Sequence, residues 1–387
     1  FEKKTVKQAV SYSIEKTRRQ NWFYTWNLLW IVIKTYLFFF LLLVPVILSQ
    51  TLMDVLTQRE SLVLGIINYV LIRNFHYMVL TYFLIKFVSL LTGEGLEIIP
   101  RRKKDHWMRW GVLGCACIIF SIEGYVYLEA PVAHKPLVIS HRGVSNKNGV
   151  QNTVQSLEKT AQLEPDFVET DVQETKDGQF VMMHDANIWD LTGVNASSQD
   201  LTLEELTKLD ISENGYHSKV TSFDEYLKRA NELHQKLLIE IKTSKKDKPD
   251  MMKRFLEKYG EILKQNGHQI QSLDYHIIDQ VQSIVPEIPA YFILPYNSIF
   301  PRTNATGYTM EYSTLDENFV NKLWNTDQKL YVWTINSSDS FDKSIHLGVD
   351  GMITDNIELV QELVTIAQED PDYTDLLLKR ALEFFNF

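Results

Sequence analysis

Three long apolar runs fill the first third of the chain, and the remainder is a series of short β-branched runs separated by amphipathic stretches. Residues 30–48 are almost unbroken hydrocarbon, interrupted by Lys34 and Pro45; residues 62–91 are mostly apolar around Arg73, His76 and Lys86; residues 110–128 are apolar apart from Ser121 and Glu123. A helix of about 20 apolar residues crosses a bilayer. The pattern therefore predicts three transmembrane helices within residues 1–128, the second long enough to break or tilt strongly. Trp22, Tyr24, Trp26, Trp107, Trp110, Tyr125 and Tyr127 flank the runs as interfacial aromatics do.

Beyond residue 136 the period changes. Strand-like runs at 137–141, 167–172, 180–184, 236–241, 269–273, 290–294, 308–312, 330–335 and 351–354 are interleaved with helical stretches such as 153–163, 223–233, 250–265 and 317–326. That alternation predicts an α/β fold. The tight-turn signal Lys176-Asp177-Gly178 leaves the 180–184 run open to being a hairpin arm. Residues 129–136, with two prolines, read as a short stiff linker. Residues 370–387, with Leu376, Leu377, Leu378, Leu382, Phe384, Phe385 and Phe387, read as a C-terminal amphipathic helix. It is expected to pack on the preceding domain or on the membrane helices, with an interfacial position on the bilayer as the alternative.

Charge adds an orientation. Lys3, Lys4, Lys7, Lys16, Arg18 and Arg19 precede the first run, and Arg101, Arg102, Lys103, Lys104 and Arg109 separate the second from the third. Between the first two stands only Arg59, beside Asp54 and Glu60. Positive-inside bias puts the N-terminus and the 101–109 loop in the cytoplasm and everything after residue 128 outside the cell membrane. Residues 1–128 hold 15 of the 39 Lys+Arg and 8 of the 49 Asp+Glu, which leaves 24 and 41 for the outer half, a net charge of −17. Such a domain has no electrostatic footprint for nucleic acid. Cys115 and Cys117 both lie in the third run, so the outer half has no disulfide, which fits a bacterial surface enzyme better than a typical secreted eukaryotic domain. The chain opens on Phe without a signal peptide and reads as a fragment, the end of a longer multi-pass bundle. That bundle is the expected contact with membrane lipid and a candidate surface for homo-oligomers.

Chemistry gathers where the β-branched runs end. His141-Arg142-Gly143, Glu169-Thr170-Asp171, His184-Asp185 and Glu240-Ile241-Lys242 each close or sit within such a run. On a strand, positions i and i+2 share a face, so Glu169 pairs with Asp171 and Glu240 with Lys242. Two imidazoles, three carboxylates, an arginine and a lysine at one mouth are the parts that cut a phosphodiester with a divalent metal. Glu169, Asp171 and Glu240 offer the oxygen ligands that Ca²⁺ or Mg²⁺ prefers; taken alone, Glu169 and Asp171 would be solvated strand-end acids. His141 and His184 are the base and acid, in either assignment. Arg142 and Lys242 would neutralise phosphate oxygens, or else pair with neighbouring acids. Trp333 would wall the substrate pocket or join the core, and Asp274 and Glu311 stand near strand ends as outer partners. Arg73 and His76, about one turn apart in the second apolar run, would contact upstream helices, line a watery groove or hold a lipid headgroup.

The motifs also carry a resemblance. His141-Arg142-Gly143, Gln151-Asn152-Thr153, Glu169-Thr170-Asp171-Val172, Lys176-Asp177-Gly178, His184-Asp185, Glu240-Ile241-Lys242, Trp333-Thr334-Ile335-Asn336 and Gly351-Met352-Ile353-Thr354-Asp355 are similar in order and spacing to the glycerophosphodiester phosphodiesterase family, over residues 137–359. The resemblance implies a TIM-type (β/α)8 barrel across 137–369, a divalent metal at Glu169, Asp171 and Glu240, and an acid/base pair at His141 and His184. Nine strand-like runs are one more than such a barrel needs. Asp355 resembles the family's last motif and is expected to pin the closing loop. In one departure, Gln151 stands where the family has Glu, removing a charge beside the first motif.

The expected activity is that of a membrane-anchored phosphodiesterase. It would release glycerol 3-phosphate from deacylated phospholipid heads, lysophospholipid heads or a glycerol-phosphate polymer of lipoteichoic-acid type, by attack of the 2-hydroxyl on phosphorus. Two alternatives stand beside it: a catalytically silent barrel acting as a membrane-tethered binding or assembly module, and a phosphodiesterase for choline or inositol lipids.

Overall fold

The computed structural model describes residues 7, 11, 15, 21–56, 58–92, 106–133, 135–296, 300–323, 326–369 and 372–383. They divide into two compact units, 1–130 with 370–387, and 131–369. Lys3, Lys4, Lys16, Arg18, Arg19, Arg101, Arg102, Lys103, Lys104, Phe384, Phe385 and Phe387 lie outside the described residues, as do the side chains of Arg59, Trp107 and Arg109.

The first unit is built from α1 (Asn21–Leu56), α2 (Gln58–Thr92), α3 (His106–Ala133) and a C-terminal helix, Tyr373–Glu383. Three stretches, Trp22–Leu56, Glu60–Leu91 and Trp110–Glu129, are long and apolar enough to cross a membrane. Leu37, Leu41, Leu48, Ile118 and Ile119 point outward, a surface that water rejects and lipid accepts. α2 runs without a break. α3 continues through Ala133, so helical backbone occupies residues 129–133 of the stretch expected to be a linker. Pro131 therefore does not end the helix; it lies in its last turn.

Polar groups inside this unit satisfy one another, as a low-dielectric setting demands. Asn68 Nδ2 donates to Gln50 Oε1 at 3.0 Å, and Gln50 Nε2 donates to Asp54 Oδ1 at 2.8 Å. Asp54 Oδ2 in turn accepts the Thr374 backbone N–H at 2.8 Å, at the start of the C-terminal helix. Arg380 Nη2 lies 3.0 Å and Arg73 Nη2 3.4 Å from Glu123 Oε1. His76 Nε2 sits 3.1 Å from the Ala381 carbonyl and its ring stacks on Phe39. Arg73 and His76, expected to face missing helices or a headgroup, are thus engaged with Glu123 and the C-terminal helix. That helix buries Tyr373, Leu376, Leu377 and Ala381 against Phe39, Leu43, Tyr69 and Leu128.

The second unit is the TIM barrel. Its elements run β1 (Leu137–Ser140), α4 (Val154–Ala161), β2 (Phe167–Glu174), β3 (Phe180–Met182), β4 (Asp210–Glu213), β5 (Tyr216–Lys219), α5 (Phe223–Glu232), β6 (Leu237–Ile241), α6 (Met251–Gln265), β7 (Gln269–Ser272), α7 (Tyr275–Ile284), β8 (Ala290–Leu294), β9 (Gly307–Glu311), α8 (Glu317–Leu323), β10 (Lys329–Trp333), α9 (Ser338–His346), β11 (Gly351–Thr354) and α10 (Ile357–Glu369). β1, β2, β6, β7, β8, β9, β10 and β11 are the eight parallel staves, closed by the pairing of β11 with β1. The ninth run is accounted for: β3 pairs antiparallel with β2 and is a hairpin arm. Staves such as β6 and β8 are covered on both faces and read as near-continuous apolar runs, whereas β7 carries Gln269, Gln271 and Ser272. Tyr291 and Tyr331 stack at 4.4 Å and join hydroxyls at 2.9 Å inside the barrel, packed with Ile139, Phe167, Leu238 and Ile353. Outside, Leu157, Phe223, Phe255 and Ile278 seal helices to staves.

Leu238 is fully buried in that interior layer. Leu238→Ala should lower the barrel's unfolding free energy by about 2–5 kcal/mol, read as a fall in the midpoint of thermal unfolding; an unchanged midpoint would show the interior is not packed in this way.

Candidate active site

Every stave contributes to one cavity of about 280 Å³ at the C-terminal ends of the strands, the face on which TIM barrels build their sites. His141, Arg142, Glu169, His184, Glu240 and Lys242 supply its polar lining, with Leu273, Ile293, Pro295, Trp333 and Ile353 as apolar wall. The eight side chains expected to hold the metal, bind the substrate or transfer protons come together here, Asp171 joining through its neighbours Glu169 and Glu240.

The first motif is shaped by its backbone. β1 ends in a tight turn, His141–Gly143, with Arg142 at φ 52° and Gly143 at φ 67°. A Cβ on Gly143 would lie 2.6 Å from the Tyr226 hydroxyl oxygen, so this position requires glycine. The turn aims the Arg142 backbone N–H at Glu169 Oε2, 2.9 Å away.

Three acids then meet in a dry place. Asp171 and Glu240 are register partners on β2 and β6, and Glu169 lies two residues back on the same face. One oxygen from each lies within 4.8 Å of the others, and all three side chains are buried. Burial first, and then the negative charge of Asp171, push the Glu169 carboxyl up to about 8 and raise Glu240 in the same way. Asp171 goes the other way. Burial would lift it, but the charges of Lys242, His184 and Arg142 and the Asn152 amide hold it below the usual range. Lys242 Nζ lies 2.6 Å from Glu240 Oε1 and 3.2 Å from Asp171 Oδ1, and Asn152 Nδ2 donates to Asp171 Oδ2 at 2.9 Å. Asp171 Oδ1 itself accepts no hydrogen bond among the described residues. Three converging hard-oxygen donors, at present neutralised in part by the Lys242 ammonium, fit a divalent cation.

The two histidines have opposite surroundings. His184 Nδ1 lies 2.7 Å from Asp185 Oδ1, and its Nε2 lies 2.9 Å from Arg142 Nη2. A guanidinium only donates, so Nε2 carries the lone pair and Nδ1 the proton. Burial, and then Lys242 and Arg142, keep this imidazole below its ordinary value against the pull of Asp171. For His141, burial is again the largest influence and acts downward. It is outweighed by Asp355, whose Oδ1 lies 2.7 Å from Nδ1, and by Glu169, so the net shift is upward.

Some partners were not legible in advance. Asp355 holds His141 directly, besides tying the closing loop through Asn336 Nδ2 at 2.6 Å. Gln151, the departure from the family pattern, accepts from Arg142 Nη1 at 3.0 Å and donates through Nε2 to Glu213 Oε1 at 2.8 Å. Glu213 ends β4 in a hairpin for which no strand was expected. Its signal was Asn214-Gly215, whose positive φ values of 53° and 82° suit a tight hairpin turn. The displaced charge therefore returns one residue further out. Gln271 and Thr309, polar residues on β7 and β9, also line the cavity. Asp274 and Glu311 do not: Asp274 caps α7 by accepting from His276 N at 2.9 Å, and Glu311 caps a turn by accepting from Ser313 N at 3.1 Å.

Comparison with known proteins bears on both units. The model of the "Glycerophosphoryl diester phosphodiesterase family" matches residues 141–359, and that of the "Membrane domain of glycerophosphoryl diester phosphodiesterase" matches residues 1–114. A glycerophosphodiester phosphodiesterase of Caldanaerobacter subterraneus subsp. tengcongensis is 28% identical over 239 residues, covering 59% of this chain and 98% of its own. A crystal structure of a glycerophosphodiester phosphodiesterase from Parabacteroides distasonis superposes with a TM-score of 0.53 at 25% identity, covering 60% of this chain and 98% of that one. An Oleispira antarctica phosphodiesterase, solved with the product sn-glycerol-3-phosphate, shares the fold with a TM-score of 0.52 at 22% identity, over 59% of this chain and 97% of that one.

The raised carboxyls predict a pH signature. A carboxyl whose folded value is raised stabilises the fold below its unfolded value and loses that contribution as pH climbs through the folded one. For Glu169 the window runs from 4.5 to about 8. A cation that binds the charged acids offsets this loss. Calcium or magnesium should therefore raise the melting temperature more at pH 8 than at pH 5, and Glu240→Gln should remove most of the difference. An equal rise at both pH values would contradict this.

Proposed function

The chain belongs to the glycerophosphoryl diester phosphodiesterase family and is a phosphodiesterase of that class, and on that premise we propose how and where it works. Glu169, Asp171 and Glu240 hold a divalent cation, His184 is the base that starts the reaction and His141 the acid that completes bond cleavage. The observation carrying this reading is that two imidazoles, one held neutral and one favoured as the cation, face one cavity with a buried acid cluster.

When bound, the cation would lower the pKa of the attacking hydroxyl and share charge on the phosphoryl oxygens. His184 Nε2, already the lone-pair nitrogen, takes the proton of the glycerol 2-hydroxyl. That oxygen attacks phosphorus, the bond to the leaving alcohol breaks, and His141 protonates the departing oxygen. Water then opens the cyclic phosphate with the two roles reversed, giving glycerol 3-phosphate. Arg142 and Lys242 neutralise the non-bridging oxygens, while Trp333 and the apolar wall bound the glycerol carbons. An intact set of acids and bases counts against a silent binding module.

The membrane unit anchors this barrel. Three membrane-crossing helices and the basic clusters at 3–19 and 101–109 support a multi-pass protein whose barrel is extracytoplasmic. Deacylated phospholipid heads and glycerol-phosphate polymers of lipoteichoic-acid type are the glycerophosphodiesters within its reach.

Purified chain of residues 1–387 given glycerophosphocholine and a divalent cation should release glycerol 3-phosphate, and chelation should abolish it. His184→Ala should lower turnover about 10²–10⁴-fold; near-full turnover would remove His184 from the mechanism. In a pH profile of kcat/KM, the acid limb should fall below and the alkaline limb above the ordinary imidazole value of about 6.5. Asp355→Asn should move the alkaline limb down and leave the acid limb in place, and an unmoved alkaline limb would break the link between Asp355 and His141.

A further inference from the structure

Two buried polar side chains line the cavity with an atom to spare. Gln271 is 2% exposed and Thr309 1%, and they reach the cavity from β7 and β9. Gln271 Nε2 donates to Glu169 Oε1 at 3.3 Å, which turns the NH2 of the amide toward the carboxylate and fixes which atom is its free oxygen. Neither Gln271 Oε1 nor Thr309 Oγ1 makes a hydrogen bond among the described residues. Unpartnered buried polar atoms are unfavourable and rare in native proteins. Here both border the space the substrate would enter.

An amide oxygen only accepts, whereas a threonine hydroxyl donates and accepts. Together they suit a ligand hydroxyl that donates to Gln271 Oε1 and accepts from Thr309 Oγ1. Resting on the reaction proposed above, the glycerol of the substrate has one oxygen esterified to phosphorus and a second acting as nucleophile. Only its terminal hydroxyl is left for a fixed receptor. We infer that Gln271 and Thr309 bind that terminal hydroxyl and make the enzyme selective for glycerol phosphodiesters in which it is free. Ile293 and Ile353 offer the apolar contact for the carbons between. An ester at the terminal oxygen has no hydrogen to give Gln271. Diesters ending in unsubstituted glycerol, the free end of a glycerol-phosphate polymer included, are then good substrates, and glycerols acylated there or linked on both sides within a polymer are poor ones.

The test compares glycerophosphocholine with the phosphocholine diester of propane-1,2-diol, which keeps the attacking hydroxyl and lacks the terminal one. The wild-type chain should favour glycerophosphocholine by at least about 30-fold in kcat/KM, since a site that hydrogen-bonds a substrate hydroxyl rejects the analogue without it. Thr309→Val, which replaces the hydroxyl by a methyl of similar size, should collapse that ratio to within about fivefold, and Thr309→Ser should restore it. A wild-type ratio near one, or a Thr309→Val ratio equal to wild type, overturns the inference while leaving the phosphodiesterase reading intact. A wild-type chain that hydrolyses neither diester overturns that reading and this inference with it.

Discussion

Three carboxylates in one dry mouth repel one another, and the rest of the site is arranged around that repulsion. Glu169, Asp171 and Glu240 cannot all carry charge in a low dielectric unless cations stand beside them. Lys242 bridges two of them, the Arg142 guanidinium approaches a third oxygen at 3.9 Å, and backbone and amide N–H groups take others. The barrel makes the crowding unavoidable. Parallel register sets Asp171 opposite Glu240, and the two-residue strand period returns Glu169 to the same face. A divalent cation held by these three acids, as proposed, would relieve a cost already built into the fold.

The same field gives the two histidines opposite surroundings. His184 stands among cations, with Lys242 and Arg142 beside it, and stays neutral. His141 stands between Asp355 and Glu169 and is favoured as the imidazolium. Two like residues thus acquire opposite readiness from their neighbours, the separation an acid–base pair needs. Arg142 connects the halves: its turn conformation presents its N–H to an acid, its guanidinium to His184 and its other arm to Gln151. The amide at 151 holds that guanidinium without neutralising it, and Glu213 fixes which end of the amide Arg142 meets.

Much of this was legible in the sequence because it obeyed local periodicity. Glu169 and Asp171, or Glu240 and Lys242, are two apart on strands, so their shared face needed no tertiary knowledge. The staves announced themselves as apolar runs, and Lys176-Asp177-Gly178 marked the one run that is a hairpin arm. What stayed hidden depended on contacts between distant segments. Asp355 meets His141 across 214 positions of sequence, and Glu213 reaches Gln151 from a mostly polar hairpin in which Ile211 is the one buried residue, too little to mark a strand. Gln271 and Thr309 were masked for a different reason: a polar residue facing into a barrel looks, in sequence, like one facing out of a sheet. Arg73 and His76 stood out in sequence as charges inside an apolar run, and they meet Glu123 and the C-terminal helix, contacts that depend on segments far along the chain.

The account rests on a single cation shared by three acids. Crystals of the chain with both units, grown with manganese and measured at the manganese absorption edge, test it most directly. One anomalous peak should lie within about 2.0–2.6 Å of an oxygen from each of Glu169, Asp171 and Glu240, with the Lys242 ammonium moved away from at least one acid. A peak elsewhere, or none while Lys242 still bridges Asp171 and Glu240, would contradict it.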